Sequence, residues 1–123
     1  AAATAEALRA AGAGVMVLAG PDGRVSPRPV LEELGRREVN EVHLEAGARL
    51  NGAWLQAGLV DELLLYLAPT LVGPGLGLAD WAPLVSLDES MAFEPEACHF
   101  VGADLCLRLR ATGPRGASPR RKR

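Results

Sequence analysis

Glu41-Val-His43-Leu-Glu45-Ala-Gly47-Ala-Arg49-Leu-Asn51-Gly-Ala-Trp54-Leu-Gln-Ala-Gly58-Leu-Val-Asp61-Glu62-Leu-Leu-Leu-Tyr66-Leu-Ala-Pro69 changes its hydrophobic period twice, and those changes decide the fold. Val42 to Leu44 is a short apolar-rich run of strand type, and it meets an acid, Glu45, before Gly47 allows a sharp turn. Leu50, Ala53, Trp54 and Ala57 then fall at the spacing of one helical face, and Gly58 closes that helix. Leu63 to Ala68 returns as an almost wholly apolar run, the pattern of a strand covered on both faces. The stretch therefore reads as strand, turn, helix, strand: a βαβ unit.

That order carries a chemical expectation. In open α/β sheets ligands sit at the carboxyl ends of strands, where helices begin. The turn from Glu45 to Leu50 is such a place: free N–H groups and the positive end of the helix dipole favour a phosphate or pyrophosphate. Gly47 admits an anion close to the backbone, Ala48 keeps the approach open, and Glu45 is placed to accept hydrogen bonds from sugar hydroxyls. Gly47-x4-Gly52 imitates part of a nucleotide triphosphatase loop, but no Lys-Ser/Thr follows, so that reading fails. By spacing alone, a plain structural turn is an equal account.

Outward from this unit, Ala1 to Ala11 has helical propensity and Gly12-Ala-Gly14 ends it. Val15 to Leu18 reads as a short buried strand, and Gly20-Pro-Asp-Gly23 as a turn. A helix through Pro29 to Gly35 follows, with Ser26 as its cap and Pro27 or Pro29 in its first turn. Its Leu31 and Leu34 face inward, while Glu32, Glu33, Arg36 and Arg37 form a solvated face. This makes a second βαβ unit, and two in succession imply a parallel core with right-handed crossovers.

Past Pro69 the pattern changes. Gly73-Pro-Gly-x-Gly77 is a lid or plain loop, and Trp81 to Val85 an irregular cover. Met91 to Phe100 and Asp104 to Arg110 are the last strands, turning near Gly102 as an antiparallel hairpin, with Pro95 marking an edge or a bulge. The expected architecture is thus α/β, with a mixed, mostly parallel sheet flanked by helices and ending in a hairpin.

The leading run Leu44-Glu45-Ala46-Gly47-Ala48 with Leu50, then Leu55-Gln-Ala-Gly58-Leu-Val-Asp61-Glu62-Leu, Tyr66-x-Ala-Pro69-x-Leu-Val-Gly73 and Val101-Gly-Ala-Asp104-Leu-Cys-Leu-Arg-Leu resembles the reductase domain of the bifunctional riboflavin biosynthesis deaminase/reductase. The resemblance runs from roughly Ala5 to Arg110. It implies a dihydrofolate-reductase-like fold and NADPH-dependent reduction of the ribosyl group of a phosphoribosylamino-pyrimidine to the ribityl form. It also implies a cytoplasmic homodimer whose parent chain carries an N-terminal deaminase domain. On this footing Glu45 contacts the substrate. The backbone of Gly47, Ala48, Arg49, Leu50, Asn51, Gly52 and Ala53 holds the cofactor's phosphates. Two residues depart from the family pattern: Thr70 stands where many relatives have Lys, and Arg49 where a small or hydroxyl residue is common. Arg49 is either a solvated first-turn side chain or a bidentate partner for the 2′-phosphate. Two other readings remain: a related reductase of another pteridine- or pyrimidine-like substrate, and a non-catalytic remnant that dimerises or binds a nucleotide.

Composition bounds these readings. At 123 residues the chain is one domain, and 49% hydrophobic content argues for a globular core. It has no apolar run of about twenty residues, and no basic segment leading into an apolar one at its start. Opening on Ala1, it reads as the C-terminal part (residues 1–111) of a longer reductase domain whose first strands lie upstream. Residues 112–123 read as a basic disordered tail that takes five of the 13 bases, leaving eight against 15 acids. Contact of that tail with nucleic acid is the less favoured account.

Cys98 and Cys106 flank the expected turn as near neighbours, and two reduced thiols are favoured over a disulfide. No His/Cys spacing suits zinc. His43 and His99 read as packed rather than catalytic, Trp54 and Tyr66 as core or subunit-contact residues. Asp61-Glu62 cannot flank one bond, because adjacent strand residues point to opposite faces.

Overall fold

The computed structural model describes residues 2–18, 20 and 23–114, and the chain forms two compact units, Ala1–Glu41 and Val42–Arg123. In the first, helix α1 (Ala2–Ala10) ends at Gly12, whose φ of 88° lets the Ala13 N–H reach back to the Leu8 carbonyl at 3.0 Å. Helix α2 (Pro27–Arg36) opens on Pro27 after Ser26, which occupies the cap position without a side-chain hydrogen bond. It closes through Glu38 at φ 63°, with the Val39 N–H on the Leu34 carbonyl at 3.0 Å. A left-handed Glu where Gly is usual costs about 1–2 kcal/mol. In the expected turn the Gly23 N–H donates to Gly20 at 3.0 Å, while Pro21 and Asp22 lie outside the described residues.

The second unit begins with helix α3 (Ala48–Gln56), followed by β1 (Glu62–Leu67), a single 3-10 turn at Leu87–Glu89, β2 (Met91–Val101) and β3 (Asp104–Pro114). Gly58, at φ 64°, terminates α3 as the sequence predicts. The three strands form one sheet in the order β1-β3-β2, and both pairings are antiparallel. The hairpin turns at Gly102, and register shifts at Ala92/Phe93 and Pro95/Ala97 bear out the bulge expected from Pro95.

The mostly parallel sheet is therefore corrected. Val15–Leu18 and Val42–Leu44 are not strands: neither belongs to any ladder. An apolar run becomes a strand only when a second backbone takes up its N–H and C=O groups, and periodicity does not supply that partner. Neither βαβ unit closes. β1 pairs with β3 on one side only, so it is an edge strand among the described residues. β3 also runs on through Thr112 to Pro114, three residues that composition grouped with the tail, and the Thr112 hydroxyl donates to the Ala92 carbonyl at 3.0 Å. The remainder of the expected tail, from residue 115, lies outside the described residues.

Pairing sorts the sheet's two faces. Leu63, Leu65 and Leu67 stand opposite Leu109, Leu107 and Leu105 on one face. On the other, Glu62, Leu64 and Tyr66 oppose Arg110, Arg108 and Cys106. A charge ladder crosses that second face: Arg108 meets Glu62 at 2.7 Å and Glu96 at 3.8 Å, and Arg110 pairs with Glu96. Glu62 is thereby engaged across the sheet rather than with Asp61. Cys98 is opposite Leu107 while Cys106 is opposite His99, so the thiols lie on opposite faces and both are free.

Tyr66, the chain's one tyrosine, is held above the ordinary phenol value of 10.0, first by its hydrogen bond with Cys106 and then by that group's charge. The raised value means that the neutral phenol is favoured in the fold. Any stabilisation it gives is present below the unfolded value and lost as pH rises through the folded one. Near-ultraviolet titration of tyrosinate should give a midpoint above that of the unfolded chain, and Cys106→Ala should move it back down; an unmoved midpoint refutes the contact.

Candidate functional site

The buried face of α3 differs from the predicted stripe. Gly52, Trp54 and Leu55 are buried, whereas Leu50 and Ala57 are exposed and Ala53 is half-buried. At Gly52 the cover is a segment far along the chain, residues 78–80, which lies against the start of the helix. The Asp80 N–H donates to the Ala48 carbonyl at 2.8 Å. A Cβ built on Gly52 would stand 2.0 Å from the Asp80 carbonyl oxygen, so only glycine permits this approach. The Asn51 amide donates to the Ala46 carbonyl at 3.1 Å and to the Leu78 carbonyl at 2.9 Å, joining the turn before α3 to the same segment.

Between these two walls lies an open recess of about 650 Å³. One wall is Ala46, Gly47, Ala48, Arg49 and Leu50; the other is Leu76, Gly77, Ala79 and Asp80. Gly47 is the helix cap, at φ −76° and ψ 167°, an extended conformation open to any residue. The expected sharp glycine turn is thus absent. A Cβ on Gly47 would meet nothing within 4 Å, so the protein's own packing does not demand glycine there. The Gly47 carbonyl takes the N–H groups of Leu50 and Asn51, both at 3.1 Å. Those of Ala48 and Arg49 have no acceptor among the described residues, as befits the first turn of a helix. The Arg49 guanidinium also has no ion-pair partner among them. The arrangement offers two backbone donors, a helix dipole and one free guanidinium to an anion.

The sequence-predicted residues divide accordingly. Gly47, Ala48, Arg49 and Leu50 line the recess together, whereas Asn51, Gly52 and Ala53 are not among its lining. Glu45 lies one residue outside it, exposed, with its carboxylate 3.3 Å from Nε2 of His43 two residues earlier. His43 is exposed rather than packed, and His99 is likewise exposed on β2. No group of three or more His, Cys, Asp or Glu side chains suits a metal ion among the described residues. No helix among them is long and apolar enough to cross a membrane. Sequence reasoning did not find the second wall: it read Gly73 to Gly77 as a lid or plain loop and gave residues 78–80 no part in the site. The local signal lay on the helix: a glycine at position 52, inside an otherwise helical run, is where a second backbone comes close.

Comparison with known proteins bears on the family to which the chain belongs. Residues 2–107 match the family model described as the RibD C-terminal domain. Over 81 residues the chain is 42% identical to the riboflavin biosynthesis protein RibD of Escherichia coli (strain K12), which covers 65% of this chain and 22% of that protein. Over 44 residues it is 46% identical to the 5-amino-6-(5-phosphoribosylamino)uracil reductase of Buchnera aphidicola, covering 36% of this chain and 21% of that one. Among solved structures, Acinetobacter baumannii RibD, form 2, superposes with a TM-score of 0.64 at 32% identity, over 70% of this chain and 25% of that one. The chain spans about a quarter or less of the length of these relatives.

Proposed function

Because this chain belongs to the RibD C-terminal domain family, we propose that it supplies the cofactor-phosphate side of an NADPH-dependent reductase of riboflavin biosynthesis. The substrate is 5-amino-6-(5-phosphoribosylamino)uracil, after the activity for which the Buchnera relative is named. The observation that carries the reading is the recess at the start of α3, where, among the described residues, nothing lies within 4 Å of a Cβ built on Gly47 and the Ala48 and Arg49 N–H groups have no acceptor. These residues fit the phosphate end of a dinucleotide: two N–H donors, a dipole and an open glycine.

When bound, NADPH supplies the hydride, and the protein's share is binding, orientation and electrostatics. The Ala48 and Arg49 N–H groups hold the pyrophosphate. Arg49 pairs with the 2′-phosphate that separates NADPH from NADH, since a guanidinium meets phosphate bidentately. Glu45, exposed and one residue before the recess lining begins at Ala46, accepts hydroxyl hydrogen bonds from the ribosyl substrate. Gly52 serves by letting the second wall approach. As part of a longer protein the chain works in a cytoplasmic homodimer alongside a deaminase region.

The test is calorimetric titration with NADPH and NADH. The wild-type chain should bind NADPH with a dissociation constant on the order of micromolar and NADH about tenfold or more weakly. Gly47→Ala should leave the melting temperature nearly unchanged, because the site has room and an ordinary φ. The added methyl should nevertheless weaken NADPH about ten- to a hundredfold, through loss of charge-assisted hydrogen bonds worth roughly 1.5–3 kcal/mol. A Gly47→Ala chain that keeps wild-type NADPH affinity would remove the recess as the cofactor site.

A further inference from the structure

Asn51 is a polar residue in the first turns of a helix, and its amide faces two carbonyls that no helix hydrogen bond uses. One NH2 group spends its donors on Ala46 (3.1 Å), in the first wall of the recess, and on Leu78 (2.9 Å), between Gly77 and Ala79 of the second, 32 positions further along the chain. Its neighbours reinforce the same junction. Ala48 accepts from the Asp80 N–H at 2.8 Å, and Gly52 carries the Asp80 carbonyl where a side chain would otherwise stand. No regular secondary structure holds residues 78–80: the stretch from Ala68 to Ser86 contains no helix or strand, and Leu76 is 97% exposed. A long irregular segment of this kind keeps one position only where specific polar contacts fix it.

We infer that Asn51 is a positioning residue: its amide latches the 76–80 wall to the first turn of α3 and so sets the mouth of the anion-accepting recess. The inference rests on the proposed cofactor role of the recess for its functional half, and on geometry alone for its structural half. It assigns Asn51 no direct contact with the cofactor. With both amide hydrogens engaged by protein carbonyls, the side chain has no donor left for a phosphate. The latch instead keeps the wall from collapsing over the Ala48 and Arg49 N–H groups or swinging away from them, so an anion meets donors that are already arranged.

The experiment uses the whole chain and Asn51→Ala, with backbone amide hydrogen exchange read at Asp80 and NADPH titrated by calorimetry. Asn51→Gln is the partner variant, since it keeps the amide on a stem one methylene longer. In the wild type the Asp80 amide should exchange slowly. In Asn51→Ala it should exchange at least tenfold faster while the amides of β2 and β3 stay protected, and NADPH should bind about tenfold more weakly. Asn51→Gln should recover part of both effects. A residue that merely stabilises the fold would speed exchange across the sheet as well, and that result overturns the inference. So does unchanged Asp80 exchange in Asn51→Ala, or faster exchange with NADPH affinity intact. A wild-type chain that binds no NADPH removes the cofactor reading instead. The latch is then decided by Asp80 exchange alone: selective loss of protection upholds it, and fast exchange in the wild type overturns it.

Discussion

Trp54→Ala should destabilise the second unit by about 3–5 kcal/mol, the usual cost of emptying a buried tryptophan site. Trp54 is 7% exposed, and Leu55 at 7% and Cys106 at 3% are the other large or sulfur-bearing side chains buried to this degree among the described residues. A core with so few deeply buried members has little redundancy, so the neighbours cannot collapse to refill the space. Domains of this size hold about 5–15 kcal/mol in total, which puts the variant close to its unfolding midpoint at room temperature. Urea unfolding followed by circular dichroism reads the change as a lower midpoint at similar slope. A midpoint shift corresponding to less than about 1 kcal/mol would mean that Trp54 is a surface anchor, for instance at a subunit contact, instead of part of the core.

Gly52→Ala is the second large effect, and its cause is the opposite one. Here a methyl is added where the Asp80 carbonyl oxygen stands 2.0 Å from the new carbon. Neither side of the clash is a flexible side-chain end: one is helix and the other backbone, so a segment must move. Alanine gains about 1 kcal/mol over glycine in helix propensity, and the collision costs about 1–3 kcal/mol, so net stability should change little or fall modestly. The larger effect is on geometry, since displacement of residues 78–80 breaks the Asp80 to Ala48 hydrogen bond and opens the recess. NADPH affinity should fall about tenfold or more although circular dichroism shows α3 intact. Full affinity in Gly52→Ala would show that the second wall is not needed. Gly47→Ala and Gly52→Ala therefore test two glycines five residues apart in different surroundings: one faces open space, the other the protein's own backbone.

How much of this was legible in the sequence follows from which features are local. Helix α3 and its Gly58 stop, the β2–β3 hairpin with its turn at Gly102 and the bulge at Pro95 all appear where period and turn chemistry put them. Each is set within about ten residues of chain. The parallel sheet was misread because it needed Val42–Leu44 to find a ladder partner, and an apolar triplet carries no information about who that partner is. The same limit governed the site. The first wall, Gly47 to Leu50, could be read from a strand-like run giving way to a helix. The second was invisible, because nothing at Asn51 announces an acceptor at Leu78. The helix face was misjudged for the same reason: Gly52 is buried against Asp80, a neighbour 28 positions along the chain.

The order β1-β3-β2 has a consequence for how the chain is made. Among the described residues its middle strand, β3, is the last in sequence, and both outer strands pair with it. Within this sheet, therefore, the apolar Leu63, Leu64 and Leu65 of β1 gain their ladder partner only when β3 is made, forty or so residues later. The two-residue turn at Gly102 lets β2 and β3 meet first, by the shortest loop closure available to the sheet, and β1 docks only after that hairpin exists. The recess, built from residues 46–80, is complete in sequence long before then. Its surroundings and the sheet are thus assembled on different clocks, and the sheet waits for the C-terminal strand.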